Sequence, residues 1–436
     1  MAKSPPKTSL ARSKVIGKVA GRVASKKISS GVKSVFLKPE DKQTLRQRTN
    51  LEIAQMIFEG LSQLRGTALK LAQLFCGETG LLPEEYMKVF EQAQYKVSPL
   101  SAALVRTVLR RELGQDPLLV FAEFEADALA AASLGQVHRA KLKNGTWVAV
   151  KVQYPGMNES IVNDFALARK LLKPFANTGL LINILDELQD RLRQEVDYMV
   201  EQEHSNWFRA QTLPPTMFIP QVHADLTCPT VLTMDFVSGQ HLDQWLLSHP
   251  SQDRIDKVAN TLFSFFTRSV FQWQRLHVDP NLGNFLITED DRIAVIDFGA
   301  VKIIPQEDVT FYTQLWRTSK GDDRTPLLEQ YEKRGMQVAP GGVEQNRQLL
   351  EQAVEPYLDW IQTLLAQESF DFKTQPDFVR RGHEIFSQQL FNPQLQNFST
   401  GLTLVHRTLL GLGVVFQRLG AKLHVDSHRH TWQKSY

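Results

Sequence analysis

From Asp41 to Phe75 the apolar residues Leu45, Leu51, Ala54, Ile57, Phe58, Leu61, Leu64, Ala68, Leu71 and Ala72 keep the three-and-four spacing of an amphipathic helix. A helical extension is predicted there. A further helical stretch ends near Gly114, and then the period falls to two. Val137 to Leu142 and Trp147 to Val152 read as strands around Lys143-Asn144-Gly145-Thr146, a predicted type I′ hairpin. Helical spacing returns at Leu181, Leu185, Leu188, Leu192, Val196 and Met199, predicting one helix that carries Glu195, Asp197 and Glu201. Thr230 to Met234 is a second strand signal, and Asp235-Phe236-Val237-Ser238-Gly239 reads as a hinge before a mainly helical second half. The apolar run Leu409 to Phe416 is far short of the ~18 residues a spanning helix needs.

With 436 residues the chain has room for two or three domains of ~150 residues each. Its boundaries are predicted as a tail over 1–40, the extension over 41–120, a sheet-bearing part over 121–236 and a helical part over 237–436. Hydrophobic residues make up 42% and charged residues 22%, which excludes disordered, fibrous and integral-membrane classes. Cys76 and Cys228 cannot build a disulfide framework or a thiolate metal site, so a reducing compartment is expected and secretion is not.

The net charge of +3 conceals an asymmetry. Ten Lys or Arg stand against Glu40 alone in the first forty residues, and 40 basic against 46 acidic residues follow. The tail, at +9, precedes a body of −6, so basicity says little about nucleic acid, and the tail lacks the interleaved aromatics that stack bases. Lys14, Lys18, Arg22 and Lys26 recur every four residues beside Val15, Val19 and Val23, as on a helix lying on an anionic membrane surface. A solvated arm, weakened as a helix by Gly17 and Gly21, and a transit peptide share that composition.

Candidate chemistry stands at His277-Val278-Asp279-Pro280-Asn281-Leu282-Gly283-Asn284, followed after an apolar strand at Ile293 to Ile296 by Asp297-Phe298-Gly299. Phosphoryl transfer spreads negative charge that divalent metal must bridge, held by a carboxylate and an amide oxygen, while another carboxylate orients the attacking hydroxyl. Asp279 takes the role of base; Asn284 and Asp297 take the metal. Upstream, Val148-Ala149-Val150-Lys151 puts a lysine on a strand, where its end reaches the α and β phosphates. Such a lysine needs a carboxylate, and at 100° per residue Asp197 and Glu201 share a helix face that Glu195 does not, so Glu201 is expected to hold Lys151. Where a glycine-rich loop would close on phosphates the chain reads Ala130-Ala131-Ala132-Ser133, whose methyl groups keep the backbone further off. With Met234 at the end of its strand, these residues complete the expected nucleotide-contacting set. Gly411-Leu412-Gly413 follows the chemistry and lacks a third glycine, so it is no replacement. His424, His428 and His430 are expected in a polar tail without a role.

The ordered set Lys70-x-x-Gln73, the alanine-rich loop, Val-Ala-Val-Lys151, Glu195-x-Asp197, His277-x-Asp279-Pro-x-x-Gly-Asn284 and Asp297-Phe-Gly resembles the UbiB/AarF/ADCK family of atypical kinases over about residues 60 to 305. The resemblance implies an α+β, two-lobed protein-kinase-like fold, with a small β-containing N-lobe, a mainly helical C-lobe and an N-terminal helical extension. It further implies ATP with Mg2+ as cofactors, and a kinase or ATPase supporting isoprenoid quinone biosynthesis or membrane lipid homeostasis. A quinone-precursor or lipid ligand and peripheral contact with an anionic membrane are the implied partners. The implied location is cytoplasmic or peripheral to the inner membrane, mitochondrial in a eukaryote. In the family Lys70 and Gln73 lie on the extension helix, and Glu195 and Asp197 of a separate Glu-x-Asp element belong with them, so Lys70 is expected to pair with one of those acids. Ala72 replaces a usual glycine, and Asn281-Leu282 a usual His-Pro. Two other readings share part of the pattern: a small-molecule phosphotransferase of the aminoglycoside or choline kinase type, and a nucleotide-binding pseudokinase scaffold.

Overall fold

The computed structural model describes residues 100–131, 134–172, 196–319, 321–333, 337–338, 343–390, 395–396 and 400–433, with scattered positions over 21–56 and 186–193. Lys70, Gln73, Ala132, Ser133, Glu195 and most of the extension predicted over 41–75 lie outside them. The chain divides into two units, Met1–Met199 with Ala224–Thr233, and Val200–His223 with Met234–Tyr436.

In the first unit the helix predicted to end at Gly114 is α1 (Ala102–Leu113), closed by that glycine at φ +71°, a left-handed cap that costs glycine nothing. Asp116 accepts from Leu118 N and starts the single turn α2 (Pro117–Val120). The sheet follows as β1 (Glu123–Phe124), β2 (Ala130–Ala131), β3 (Gly135–Lys141) and β4 (Trp147–Gln153), in the order β1-β3-β4-β6 with β2 also on β3. Helix α3 (Met157–Leu172) comes next in the chain, and β6 (Val231–Asp235) is the predicted second strand. Val148, Val150 and Val152 alternate onto one face and pack with Ala140, Val231 and Phe121 against Val105, Val108 and Leu109 of α1. By the same alternation Lys151 stands on the other face, in register with Val137 of β3, itself in register with Ala130. Ala130 and Ala131 are thus ladder residues of the sheet, where the sequence reads a loop.

Two polar side chains share the core face of β3. Gln136 Oε1 accepts from Leu100 N at 2.7 Å, and its Nε2 donates to His138 Nε2 at 2.7 Å. His138 Nδ1 then donates to Glu125 O at 2.9 Å, and burial lowers the pKa of the ring so that it stays neutral.

The β3–β4 turn differs from the predicted type I′. That turn requires positive φ at both central residues, but within this loop Gly145 alone has it, at +90°. Gly145 N donates to Leu142 O and Leu142 N to Thr146 O, so a type I turn ends in a left-handed glycine, while Asn144 uses its side chain to accept from Thr146 N. At the other end of β3 the approach to β4 is close: a Cβ on Gly135 would lie 2.4 Å from Val152 O. Gly135→Ala is expected to cost about 1–3 kcal/mol, read as a lower midpoint in urea unfolding at unchanged slope.

The second unit takes in α4 (Tyr198–Arg209), whose first two residues count with the first. The expected continuous helix is interrupted before it. Val196 is in a turn, Asp197 precedes α4, and Asp197 Oδ1 accepts from Met199 N at 3.0 Å, as a capping aspartate does. Asp197 and Glu201 therefore do not share one helix face. A four-stranded sheet contains β5 (Met217–Phe218), β7 (Gln240–His241), β9 (Phe285–Ile287) and β10 (Ile293–Val295) in the order β5-β10-β9-β7. A ribbon pairs β8 (Arg275–His277) with β11 (Val301–Ile303). The helices are α5 (Leu242–Leu247), α6 (Gln252–Phe271), α7 (Gln306–Arg317), α8 (Thr325–Lys333), α9 (Val343–Leu365), α10 (Phe378–Leu390), α11 (Thr400–Leu419) and α12 (His430–Gln433). Short pairs join β12 (Gln337–Val338) to β14 (Leu395–Gln396) and β13 (Phe370–Asp371) to β15 (Lys422–Leu423). Among the described residues no helix is long and apolar enough to cross a membrane.

The buried stripe of α6 is aromatic: Phe271 meets Trp316 of α7 at 4.9 Å, and Phe263 meets Phe416 of α11 and Trp432 of α12 at 6.4 Å. Its polar stripe, four residues apart, binds backbone. Gln252 donates to Gly420 O, Asp256 accepts from Lys422 N, and Asn260 both donates to Lys422 O and accepts from His424 N. The C-terminal stretch is consequently packed rather than a solvated polar tail. His428 is buried, edge-on to Phe263 at 5.2 Å, and burial brings its pKa down to about 4.

Candidate functional site

Four short strands pinch two loops together in the second unit. His277 of β8 pairs with Val301 of β11, and Phe285 of β9 with Val295 of β10. The loop after β8 therefore runs beside the loop before β11, and two further bonds close the gap: Val278 N donates to Ala300 O and Ile296 N to Asn284 O, each at 3.0 Å. Asp279, Asn284 and Asp297 sit on these adjoining loops. Asn284 Nδ2 donates to Asp279 O and Oδ2, both at 3.1 Å, and Gly299 N donates to Asp297 Oδ1 at 3.0 Å.

Three residues of α4 hold the segment between them. Glu201, His204 and Phe208 recur at the three-and-four spacing that puts side chains on one helix face. Glu201 Oε1 accepts from Phe298 N at 3.4 Å, His204 Nδ1 donates to Phe298 O at 3.2 Å, and the Phe208 ring stacks on Phe298 at 5.1 Å. Phe298 is 1% exposed and also receives the edge of His277, whose Nε2 bonds Asp297 O at 2.8 Å. Burial lowers the pKa of His204, keeping a neutral ring whose proton faces the carbonyl. His204 was not among the residues the motifs single out; its spacing three beyond Glu201 is the signal that points to it.

The donor set fits a hard cation. The amide nitrogen of Asn284 is committed to Asp279, so its oxygen is what Asn284 could offer a metal, beside the carboxylate of Asp297. Among the described residues no cluster of three His, Cys, Asp or Glu side chains could hold a metal unaided. Magnesium is ordinarily held by one or two carboxylates, with water and substrate phosphates completing its shell.

The remaining predicted residues are divided between the two units. In the first unit Ala130, Val137 and Lys151 form one cross-strand row, and Lys151 is 8% exposed. In the second, Glu201 is 3% exposed and Met234 is buried, bridged to Val222. Asp197 caps α4 as described.

Similarity to known proteins extends over most of the chain. Residues 92–331 match the family model described as ABC1 atypical kinase-like domain. Atypical kinase COQ8B, mitochondrial, from Rattus norvegicus is 32% identical over 284 residues, covering 63% of this chain and 53% of the relative. Probable serine/threonine-protein kinase abkA from Dictyostelium discoideum is 30% identical over 294 residues, covering 63% and 52%. The chain thus spans about half the length of these two curated relatives. Atypical kinase COQ8, mitochondrial, from Saccharomyces cerevisiae is 26% identical over 438 residues, 97% of this chain and 84% of that one. Among solved structures, the Mycobacterium tuberculosis Rv3197–erythromycin complex matches with a TM-score of 0.57 and 25% identity, covering 90% of this chain and 97% of the other. The paired loops and the kinase-like fold around them have the same source as these likenesses: the chain belongs to the ABC1 atypical kinase-like family.

Proposed function

We propose that the protein is an ATP- and Mg-dependent atypical kinase or ATPase that supports isoprenoid quinone biosynthesis or membrane lipid homeostasis. The supporting observation is the gathering of Asp279, Asn284 and Asp297 on two loops tied by β8–β11 and β9–β10. Asp279 is the base that accepts a proton from the attacking hydroxyl or water, and the Asn284 amide fixes the direction of its carboxylate. Asn284 Oδ1 and the Asp297 carboxylate hold magnesium, which when bound neutralises charge on the phosphates. Lys151, with Glu201 as its carboxylate, would hold the nucleotide's phosphates, and Ala130 to Ser133 and Met234 would contribute to holding the nucleotide. Lys70 and Gln73 act from the extension with Glu195 and Asp197. These assignments follow the family order of motifs.

Phosphate release from Mg-ATP tests the reading, with and without anionic liposomes and a phenolic quinone-precursor mimic. Stimulation by both is the expected result. Stimulation by an amino alcohol or an aminoglycoside instead would move the protein to the small-molecule phosphotransferases, and no release under any condition would leave a nucleotide-binding scaffold.

A further inference from the structure

Gly411 lies in the middle of α11 with ordinary helical backbone, since it is not among the residues of positive φ. Conformation therefore does not demand glycine there, and glycine inside a helix costs about 1 kcal/mol relative to alanine. What demands it is a neighbour. A Cβ on Gly411 would stand 2.5 Å from Pro280 Cγ, 3.6 Å from Cδ and 3.7 Å from Cβ. Pro280 directly follows Asp279, so the bare backbone of α11 is seated against the ring next to the proposed base. The proline ring has no flexible end to swing aside, and any side chain at 411 must push the loop or the helix.

Pro280 and, from α11, Thr408 and Leu412 line one small cavity with Leu262, Phe266 and Phe285, so the contact has slack at its edge. Helix α11 is otherwise packed along its length, with Val405, Leu409, Leu410, Leu412, Val415 and Phe416 all buried, which leaves the loop as the part that yields. A group added at 411 would thus shift Pro280 and carry Asp279 with it. We propose that Gly411 is a positioning residue for the catalytic loop, setting the place of Asp279 through van der Waals contact with Pro280. The proposal rests on the phosphoryl-transfer reading for its effect on rate, while the coupling of α11 to the loop stands on the contact alone.

Gly413 supplies the comparison. Two residues on in the same helix, its added Cβ would be 3.3 Å from Val379 Cγ2, the end of a side chain. Gly411→Ala is expected to lower kcat for Mg-ATP by roughly 10- to 100-fold with little change in KM, as misplacement of about 1 Å does. Gly413→Ala should leave kcat near wild type. Replacing Pro280 by Ala removes the Cγ and Cδ contacts and leaves only the Cβ at ordinary distance. In that background Gly411→Ala should cost nothing further, so the two changes are strongly non-additive. Hydrogen–deuterium exchange over residues 278–285 is read in the wild type, the two single variants Gly411→Ala and Pro280→Ala and their double variant, and faster exchange in Gly411→Ala, returned to the Pro280→Ala level in the double variant, is expected. Additive effects on kcat with unchanged exchange would overturn the proposal. If the wild type releases no phosphate, the functional reading fails while the exchange result still decides the coupling: unaltered exchange in Gly411→Ala refutes it.

Discussion

Asp297→Asn is expected to lower Mg-ATP turnover by on the order of 10³-fold, about 4 kcal/mol of transition-state stabilisation, and to abolish the Mg-dependent rise in Tm that nucleotide confers. Asparagine matches aspartate in shape and keeps an oxygen for the bond from Gly299 N, so the loop is retained and the charge is what is lost. Asp279→Asn makes the contrasting case. Its oxygen can still accept from Asn284, so nucleotide and metal are expected still to raise Tm while turnover falls by about 10²–10⁴-fold through loss of the proposed base. Thermal melts with ATP at several Mg concentrations, run beside phosphate release, separate the two variants. Equal turnover by wild type and Asp279→Asn would make the mechanism untenable.

A second large effect is expected in stability at acid pH. His406 of α11 is buried against Tyr357, ring to ring at 4.1 Å, and meets Tyr312 edge-on at 5.4 Å; among the described residues neither ring nitrogen has a hydrogen-bond partner. Burial alone brings its pKa from 6.5 down to about 3. The unfolded chain then binds the proton that the folded chain refuses, so unfolding free energy rises with pH. The stability is fully present above pH 6.5 and is lost as pH falls towards 3, amounting to about 2 kcal/mol by pH 5. His428 adds a change of the same sign. His406→Leu, similar in volume, should flatten the dependence of the urea midpoint on pH between 7 and 5 without removing it. A slope identical to wild type would show that His406 does not titrate on unfolding.

Much of the fold was legible because it rests on local rules. The period-two runs around Gly145, the helix ending at Gly114 and the strand before Asp297 all appear where the spacing places them. The failures share one cause, competition from partners distant in sequence or from a local side-chain bond. Spacing alone ran the helix through Val196 and Asp197, but a capping carboxylate ends the ambiguity by bonding Met199 N. His428 looks solvated in sequence because the α6 residues that bury it, Phe263 and Asn260, lie more than 150 residues away. The Asp279, Asn284 and Asp297 set was readable as an ordered motif, whereas His204 carried only its spacing from Glu201 until Phe298 gave it a partner, and Gly411 acquires meaning only from Pro280.

The grip of α6 on the segment from Gly420 to His424 uses main-chain atoms on the segment's side throughout. Such a grip is indifferent to what the segment's outward side chains are. Lys422 and His424 are exposed, so drift at these two positions is tolerated for every residue except proline, which has no N–H to give Asp256 or Asn260. Selection should instead fall on Gln252, Asp256 and Asn260, making a helix surface that looks merely hydrophilic the slowly evolving partner of a freely varying strand.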